Sequence, residues 1–276
     1  MSAPPITAIT GLDDTVTSLL APSSTNASAS QTAICGRNSL IPSNYASDCH
    51  IFATFQRGDG TSCSASVVGS GPSSRYLSTA GHCIYNSTRG GYAIGVRIYC
   101  TGKGGCDRTT TYSRRIIVAS GWLGQGGSSS TNAFDVGVIE ARDAISVGRP
   151  YRYGTCAGGA DVKVQVTGYP GRGGGAQCNR AKYDTCTQYS STGAMRCVSR
   201  NGFYAPDYDT CNGMSGGGVW SSDNNWLVAI HSASDNRPKS CGNTAVPLRL
   251  RNDVDAGCND RQRGGVSIGC LIDKFN

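Results

Sequence analysis

Short runs in which apolar and polar residues alternate recur from about residue 48 to about residue 250. His50–Phe55 shows this pattern in part, and Val162, Val164 and Val166 show it clearly. A period of two residues predicts β-strands with one buried face, and the glycine-rich stretches between the runs predict turns. About ten to twelve strands are expected, which is typical of an all-β sandwich or a pair of barrels. Near the C-terminus, Pro247–Asp255 is expected to form a short helix.

The two ends of the chain differ in composition from this central part. Residues 1–33 are rich in Ser, Thr, Ala and Pro, which favours a flexible N-terminal arm or a pro-segment. The central domain is predicted to extend over residues 34–257. Residues 258–276 are expected to form a tail held by Cys258 and Cys270.

Fourteen cysteines among 276 residues indicate disulfide bonds. Their number is even, no C-x-x-C pair occurs, and the three histidines are widely separated, so a zinc site is not expected. Disulfides require an oxidising compartment, and we therefore expect a secreted, extracellular protein. The first residues lack the basic and continuous apolar regions of a signal peptide, which leaves the source of the export signal open. No metal and no other cofactor are expected.

The formal net charge of +7 comes from Lys and Arg residues that are scattered along the chain. Nucleic-acid binding requires a concentrated basic patch, so we interpret the charge as a solvated basic surface and expect no nucleic-acid partner. No segment reaches the length of an apolar transmembrane helix, and no membrane association is expected. We expect a monomer.

A serine lies between glycines in the segment Gly213–Gly217. A serine hydroxyl becomes a useful nucleophile when a base removes its proton and donors receive the charge that forms on the substrate. The backbone N–H groups of Gly213 and Ser215 are the expected donors of such an oxyanion hole, because glycine allows a sharp turn. The segment also fits the G-x-S-x-G motif of α/β-hydrolases. In those enzymes the acid and the histidine follow the serine, whereas here only His231 does, at a short distance.

Two further polar residues lie upstream of this serine, one directly after a strand-like segment and one within such a segment. His82 lies in S-T-A-G-H-C, and Asp135 lies in F-D-V-G-V-I. The order His82, Asp135, Ser215 and the three motifs resemble those of chymotrypsin-like serine proteases. The segments Val166–Gly171 and Ala229–His231 resemble more closely the bacterial glutamyl-endopeptidase branch of that family.

This resemblance implies a fold of two antiparallel β-barrels with the active site in the cleft between them. The first barrel would comprise about residues 48–141 and the second about residues 156–250. It also implies a serine endopeptidase that hydrolyses peptide bonds in proteins or peptides through an acyl-enzyme intermediate. Ser215 would be the nucleophile, His82 the general base and then acid, and Asp135 the residue that orients the imidazole.

Disulfide pairings and the mode of activation are also suggested by the family. The resemblance implies bridges Cys63–Cys83, beside the histidine loop, and Cys211–Cys241, at the mouth of the specificity pocket. Animal digestive proteases have an aspartate before the catalytic serine, and it pairs with the N-terminus that activation releases. Met214 occupies that position here, so this switch does not carry over, although a zymogen with another mode of activation stays open.

The residues at the expected specificity pocket favour two different substrate preferences. Asp209 matches the aspartate with which trypsin-like enzymes attract Arg or Lys. Thr210 and His231 match pocket residues of glutamyl endopeptidases, which would favour cleavage after Glu. An ionised aspartate carries a full negative charge at neutral pH, whereas an unperturbed histidine is mostly neutral. On this ground the sequence favours cleavage after Arg or Lys, with Glu as the alternative.

A protein of another class stays open as well. A protease-like binding protein would retain the fold and have no catalytic activity. Such proteins typically lose a residue of the triad, and His82, Asp135 and Ser215 are all present here.

Overall fold

Strands make up most of the regular structure. The computed structural model describes residues 40–100, 110–124, 132–156, 161–171, 183–197, 204–235, 242–262 and 265–276. The predicted N-terminal arm, residues 1–33, lies outside these ranges. In chain order the elements are β1 (Ile41–Pro42), β2 (Asp48–Thr54), β3 (Gly60–Val67), β4 (Ser73–Thr79), α1 (Gly81–Ile84), β5 (Tyr85–Asn86), β6 (Gly91–Tyr92), β7 (Gly95–Tyr99), β8 (Thr111–Val118), α2 (Ser120–Leu123), β9 (Gly137–Ser146), β10 (Arg152–Tyr153), β11 (Asp161–Gly168), β12 (Tyr189–Arg196), β13 (Gly218–Ser221), β14 (Trp226–Asp235), β15 (Gly242–Pro247) and α3 (Ile268–Asp273).

Six strands of the first half form a closed barrel in the order β2–β3–β4–β9–β8–β7. The strand pairs are antiparallel, and β7 closes the barrel by pairing with β2. The alternation in β2 explains its orientation, because Ile51, Ala53 and Phe55 are completely buried while Phe52 and Thr54 between them are partly exposed. Burial of such apolar side chains is the main favourable contribution to folding.

Seven strands of the remaining chain form the second β unit. Their order is β1–β12–β11–β13–β14–β10, and β15 also pairs with β14. Its core includes Val164 and Val166, the completely buried members of the valine series in β11. The all-β prediction is confirmed, and the two β units agree with the predicted pair of barrels. Among the described residues, no helix has the length and apolar character needed to cross a membrane.

The C-terminal helix lies later in the chain than the sequence pattern predicted. Pro247–Asp255 is not helical apart from one 3-10 turn at Arg251–Asp253. The reason is that the backbone there pairs with other segments, since the N–H groups of Leu248 and Arg249 donate to the carbonyl oxygens of Val228 and Val266. The helix of this region is α3, which the Cys258–Cys270 disulfide ties to the preceding turn.

One carboxylate lies buried where the two β units meet. Asp48, at the start of β2, accepts hydrogen bonds from Ser66 Oγ on β3 at 2.6 Å, from Tyr151 Oη at 2.8 Å and from Thr167 Oγ1 on β11 at 2.5 Å. These three partners are hydroxyl groups, and none carries a positive charge. Burial raises the pKa of Asp48 from 3.8 to about 6, although the three hydrogen bonds oppose the rise.

The stability of the protein should therefore decrease as the pH rises through about 6, because Asp48 must then be buried with its charge. The folded-state pKa lies above the unfolded value, so the stabilising contribution is complete below pH 3.8 and is lost above pH 6. A shift of this size corresponds to roughly 3 kcal/mol. Asp48→Asn should flatten the pH dependence of the unfolding free energy, measured by urea denaturation across this range. Asp161→Asn, at an exposed carboxylate, is the control, and equal pH slopes in Asp48→Asn and the wild type would contradict the prediction.

Candidate active site

His82 lies in α1, directly after β4. Ala80, the residue before this helix, provides no side-chain cap, and the backbone N–H of His82 instead donates to Asp135 Oδ1 at 2.7 Å. His82 Nδ1 lies 2.7 Å from Asp135 Oδ2. Position 81 requires a glycine, because a Cβ there would lie 3.0 Å from Trp122 and 3.1 Å from Asp135 Oδ1. The same carboxylate therefore fixes both the backbone and the ring of His82.

Asp135 precedes β9 and is almost completely buried. Its Oδ2 also accepts a hydrogen bond from Ser232 Oγ on β14. Burial would raise the pKa of Asp135, but the charge of His82 and the hydrogen bonds from His82 and Ser232 outweigh it and hold the pKa below its usual value. The carboxylate is therefore ionised at neutral pH.

The imidazole of His82 is tuned by opposing effects. Burial would lower its pKa, but the charge of Asp135 and its hydrogen bond outweigh burial, so the pKa of His82 is raised above its usual 6.5. The side chain is 32% exposed. Because Nδ1 is held by Asp135, Nε2 is the nitrogen placed for proton transfer, and a histidine of this pKa can both accept and return a proton near neutral pH.

Ser215 lies in the loop that leads into β13. Its hydroxyl donates to the carbonyl oxygen of Ser232 at 3.2 Å, and within the described part of the chain no hydrogen bond joins it to His82. Gly213 and Gly216, on either side, have φ angles of +90° and +84°, a region that favours glycine. A Cβ at Gly216 would lie 2.2 Å from Thr79 Oγ1 on the first barrel, so the loop packs closely on that barrel.

The predicted oxyanion-hole groups belong to this loop. The carbonyl oxygen of Asn212 accepts a hydrogen bond from the N–H of Gly171. Since C=O and N–H point in opposite directions across a trans peptide, the N–H of Gly213 is directed away from Gly171. Within the described ranges, the N–H groups of Gly213 and Ser215 have no hydrogen-bond acceptor. Both are donors that a substrate oxygen can use.

Ser232 is the residue of this site that the sequence did not reveal. Its hydroxyl binds Asp135 and its carbonyl oxygen binds the Ser215 hydroxyl, so it contacts both ends of the predicted triad. Its sequence signal is weak, because it is one of several small polar residues that follow His231 in β14.

The three predicted specificity residues are all buried, in different surroundings. The N–H of Asp209 donates to Ser191 Oγ on β12 at 2.9 Å. Burial raises the pKa of Tyr183, and the charge of Asp209 adds to this effect, so the carboxylate and Tyr183 are close enough to interact. Thr210 Oγ1 donates to Asn243 Oδ1 at 2.7 Å.

His231 lies next to the triad and is completely buried. Its Nδ1 is 3.3 Å from Tyr208 Oη, whereas its Nε2 has no hydrogen-bond partner among the described residues. Burial lowers the pKa of His231 to about 3, and the charge of His82 contributes in the same direction, whereas the charge of Asp135 and the backbone of Thr244 oppose the shift. The ring is therefore neutral at physiological pH, and its Nε2 makes no hydrogen bond of normal geometry with the described residues.

The disulfides near the site include the bridge Cys63–Cys83, which joins β3 to the helix that contains His82. The sulfur atoms of Cys63 and Cys83 lie close to His82. A disulfide sulfur is not a thiolate and so is no metal ligand, and this cluster is therefore not a metal site. Cys211 is buried and disulfide-bonded. The predicted partner Cys241 lies outside the described residues, so the Cys211–Cys241 pairing stays a prediction.

A comparison with protein families identifies the fold. The family model described as Trypsin matches residues 42–250. The chain belongs to the trypsin family. It is accordingly a serine endopeptidase, and its substrates are proteins or peptides. A search of curated protein sequences returned no significant match.

Solved structures of proteases share the fold of this trypsin-family chain. A structure of a Glu endopeptidase in complex with MPD is 17% identical in sequence and has a TM-score of 0.60. The matched region covers 88% of this chain and 98% of the endopeptidase chain. Protease Anisep from Arthrobacter nicotinovorans is 18% identical, with coverages of 76% and 92% and a TM-score of 0.57. The scabies mite inactivated protease paralogue S-D1 is 11% identical, with coverages of 79% and 91% and a TM-score of 0.54. At these identities the similarity shows the fold alone.

Proposed function

We propose that Ser215, His82 and Asp135 form the catalytic triad of this endopeptidase. The observation that carries the proposal is the two-point contact of Asp135 with the N–H and the Nδ1 of His82. A carboxylate that served only as a turn cap would not require the ring contact. Ser232 supports the proposal, because it links the same carboxylate to the hydroxyl of Ser215.

The proposed reaction proceeds through an acyl-enzyme. Ser215 Oγ attacks the carbonyl carbon of the scissile peptide bond while His82 Nε2 takes the hydroxyl proton. The negative charge that forms on the carbonyl oxygen is bound by the N–H groups of Gly213 and Ser215. His82 then gives its proton to the leaving amine, and the C–N bond breaks. Water, deprotonated by His82, releases the carboxylic acid and restores the serine hydroxyl.

The Ser215 hydroxyl has to turn from the carbonyl of Ser232 toward His82 before it can react. Catalytic hydrogen bonds are often long or absent without substrate and form in the substrate complex. A fluorophosphonate probe tests whether this step occurs, since it reacts with an activated serine. We expect stoichiometric labelling of Ser215, mapped by mass spectrometry, and no labelling of His82→Ala. An unlabelled, folded, disulfide-intact protein would instead favour the inactive, protease-like binding protein.

For specificity we propose cleavage after Glu, the alternative that the sequence favoured less. The buried and unpartnered Nε2 of His231 supports this preference. When Tyr208 donates to Nδ1, the neutral ring carries its proton on Nε2 and offers an N–H for which the described residues supply no acceptor at normal hydrogen-bond geometry. A carboxylate supplies that acceptor, whereas Lys and Arg side chains only donate hydrogen bonds. An unmade hydrogen bond of a buried group is costly, so a substrate that satisfies it gains binding energy.

The surroundings of Asp209 support the same preference. Its backbone is held by Ser191 and its charge acts on Tyr183, both on the side of β12. His231, in contrast, interacts with His82 and lies beside Ser232 at the catalytic centre. We therefore assign recognition of the substrate side chain to His231 with Thr210, and a structural role to Asp209.

The setting in which the enzyme acts follows from its disulfides. Trypsin-family proteases with disulfide bonds are commonly secreted. The four bridges within the described residues, Cys49–Cys100, Cys63–Cys83, Cys156–Cys197 and Cys258–Cys270, support an extracellular location for this protease as well.

A further inference from the structure

Ser64, on β3 of the first barrel, is completely buried. Both its backbone and its side chain contact the nucleophile loop, the segment Gly213–Gly217 that contains Ser215. Its N–H donates to the carbonyl oxygen of Ser215 at 2.8 Å. Its hydroxyl donates to the carbonyl oxygen of Gly213 at 2.9 Å and accepts from the N–H of Tyr169 at 2.9 Å. Its own carbonyl oxygen accepts from Thr79 Oγ1 at 2.8 Å. All the polar groups of this residue are therefore used around the loop.

The hydroxyl of Ser64 joins two loops of the second β unit. One is the segment Tyr169–Gly171, which ends in the N–H that binds the carbonyl oxygen of Asn212. The other is the nucleophile loop, in which the carbonyl oxygen of Gly213 accepts the hydrogen bond from Ser64. The carbonyl groups on both sides of the Gly213 Cα are thus held, one by Gly171 and one by Ser64.

This double anchoring matters because a glycine does not hold its own conformation. Gly213 has a φ of +90°, and glycine populates several backbone conformations at similar energy. The N–H of Gly213 belongs to the peptide whose carbonyl Gly171 holds, and rotation of that peptide would turn this N–H away from the substrate oxygen. Ser64 acts on both sides of it, because its hydroxyl holds the next peptide at the Gly213 carbonyl and also binds the N–H of Tyr169 in the segment that presents Gly171. External hydrogen bonds are therefore needed to keep this donor in place, and preorganised donors give the largest rate gains.

We propose that Ser64 is a positioning residue, whose hydroxyl keeps the Gly213 N–H directed into the oxyanion hole by holding the Gly213 carbonyl and the Tyr169–Gly171 segment. The inference rests on the proposed function of Ser215 and Gly213. Ser64 does not touch the substrate, so its loss should affect the stabilisation of the transition state and leave ground-state binding nearly unchanged.

The test compares Ser64→Ala with the wild type on one peptide substrate. We expect kcat to fall about tenfold with KM within about twofold, less than the ~10²–10³-fold cost of losing an oxyanion-hole donor outright. A peptide aldehyde, whose adduct with Ser215 places an oxyanion in the hole, should bind about tenfold more weakly. The affinity for an uncleavable peptide with a reduced scissile bond should stay the same. A role limited to packing would not separate these two inhibitors.

Three variants make the outcome decisive. Ser78→Ala removes another completely buried hydroxyl, which donates to the carbonyl oxygen of Ser66 in the first barrel, and should leave kcat unchanged. Ser64→Thr retains the hydroxyl and should keep kcat within about threefold of the wild type. If Ser64→Ala does not fold, Ser64→Gly also lacks the hydroxyl and serves in its place.

Two failures can be told apart. If Ser64→Ala, or Ser64→Gly in its place, has the kcat and the aldehyde affinity of the wild type while Ser215→Ala is inactive, the role of Ser64 is refuted. The proposed triad is then unaffected. Activity in Ser215→Ala would overturn the proposed function itself.

Discussion

Replacing Ser215 with Ala should lower kcat/KM for peptide hydrolysis by about 10⁴–10⁶-fold, and His82→Ala should have an effect of similar size. The reason is that the three groups act as a unit. Without the hydroxyl there is no acyl-enzyme, and without the imidazole the hydroxyl keeps its proton. The double variant should therefore be little worse than either single one. The measurement is steady-state hydrolysis of a fluorogenic peptide by purified, disulfide-intact protein.

The control must show that the loss is chemical rather than structural. Ser222→Ala, at an exposed serine just after β13, should leave both activity and thermal stability unchanged. Ser215→Ala should unfold within a few degrees of the wild type, since it removes a single hydrogen bond to Ser232. Turnover close to that of the wild type in a Ser215→Ala preparation verified by mass spectrometry would refute the assignment of the nucleophile.

Local patterns in the sequence predicted the strands and the motif residues. The alternation in β2 and β11 reflects side chains that are buried on one face, and this is a property of consecutive residues. The motifs around His82, Asp135 and Ser215 resemble a family whose fold brings these positions together. The structure places His82 against Asp135, and it places Ser215 against Ser232, which in turn contacts Asp135.

Contacts between residues that are far apart in the chain could not be predicted from the sequence. Ser64 lies 149 residues from Gly213, and Ser232 lies 97 residues from Asp135. A serine that caps a loop of another barrel has the same local pattern as one that faces water. The final helix was misplaced for a related reason, because the backbone after Pro247 pairs with Val228 and Val266 instead of with itself. Tertiary hydrogen bonds overrode the local tendency in that segment.

The burial of the specificity residues could not be predicted from the sequence either. Formal charge at neutral pH favoured Asp209 over His231 there. In the folded chain, what counts is which polar group is left without a partner beside the catalytic centre. Nε2 of His231 is such a group, and for this reason we propose Glu rather than Arg or Lys as the preferred residue.

His231→Ala should reduce cleavage after Glu by about 10–100-fold, because a hydrogen bond to a charged group is worth about 1.5–3 kcal/mol. The measurement uses matched peptides that differ only in the residue before the scissile bond, with Glu, Gln or Arg at that position. The wild type should prefer Glu over Gln, and His231→Ala should lose this preference. Tyr208→Phe, which removes the hydroxyl next to Nδ1, should lose part of it. Asp209→Asn is the matched control and should retain the preference for Glu. Preferred cleavage after Arg that is lost in Asp209→Asn and kept in His231→Ala would overturn the proposal and place the recognising charge on Asp209.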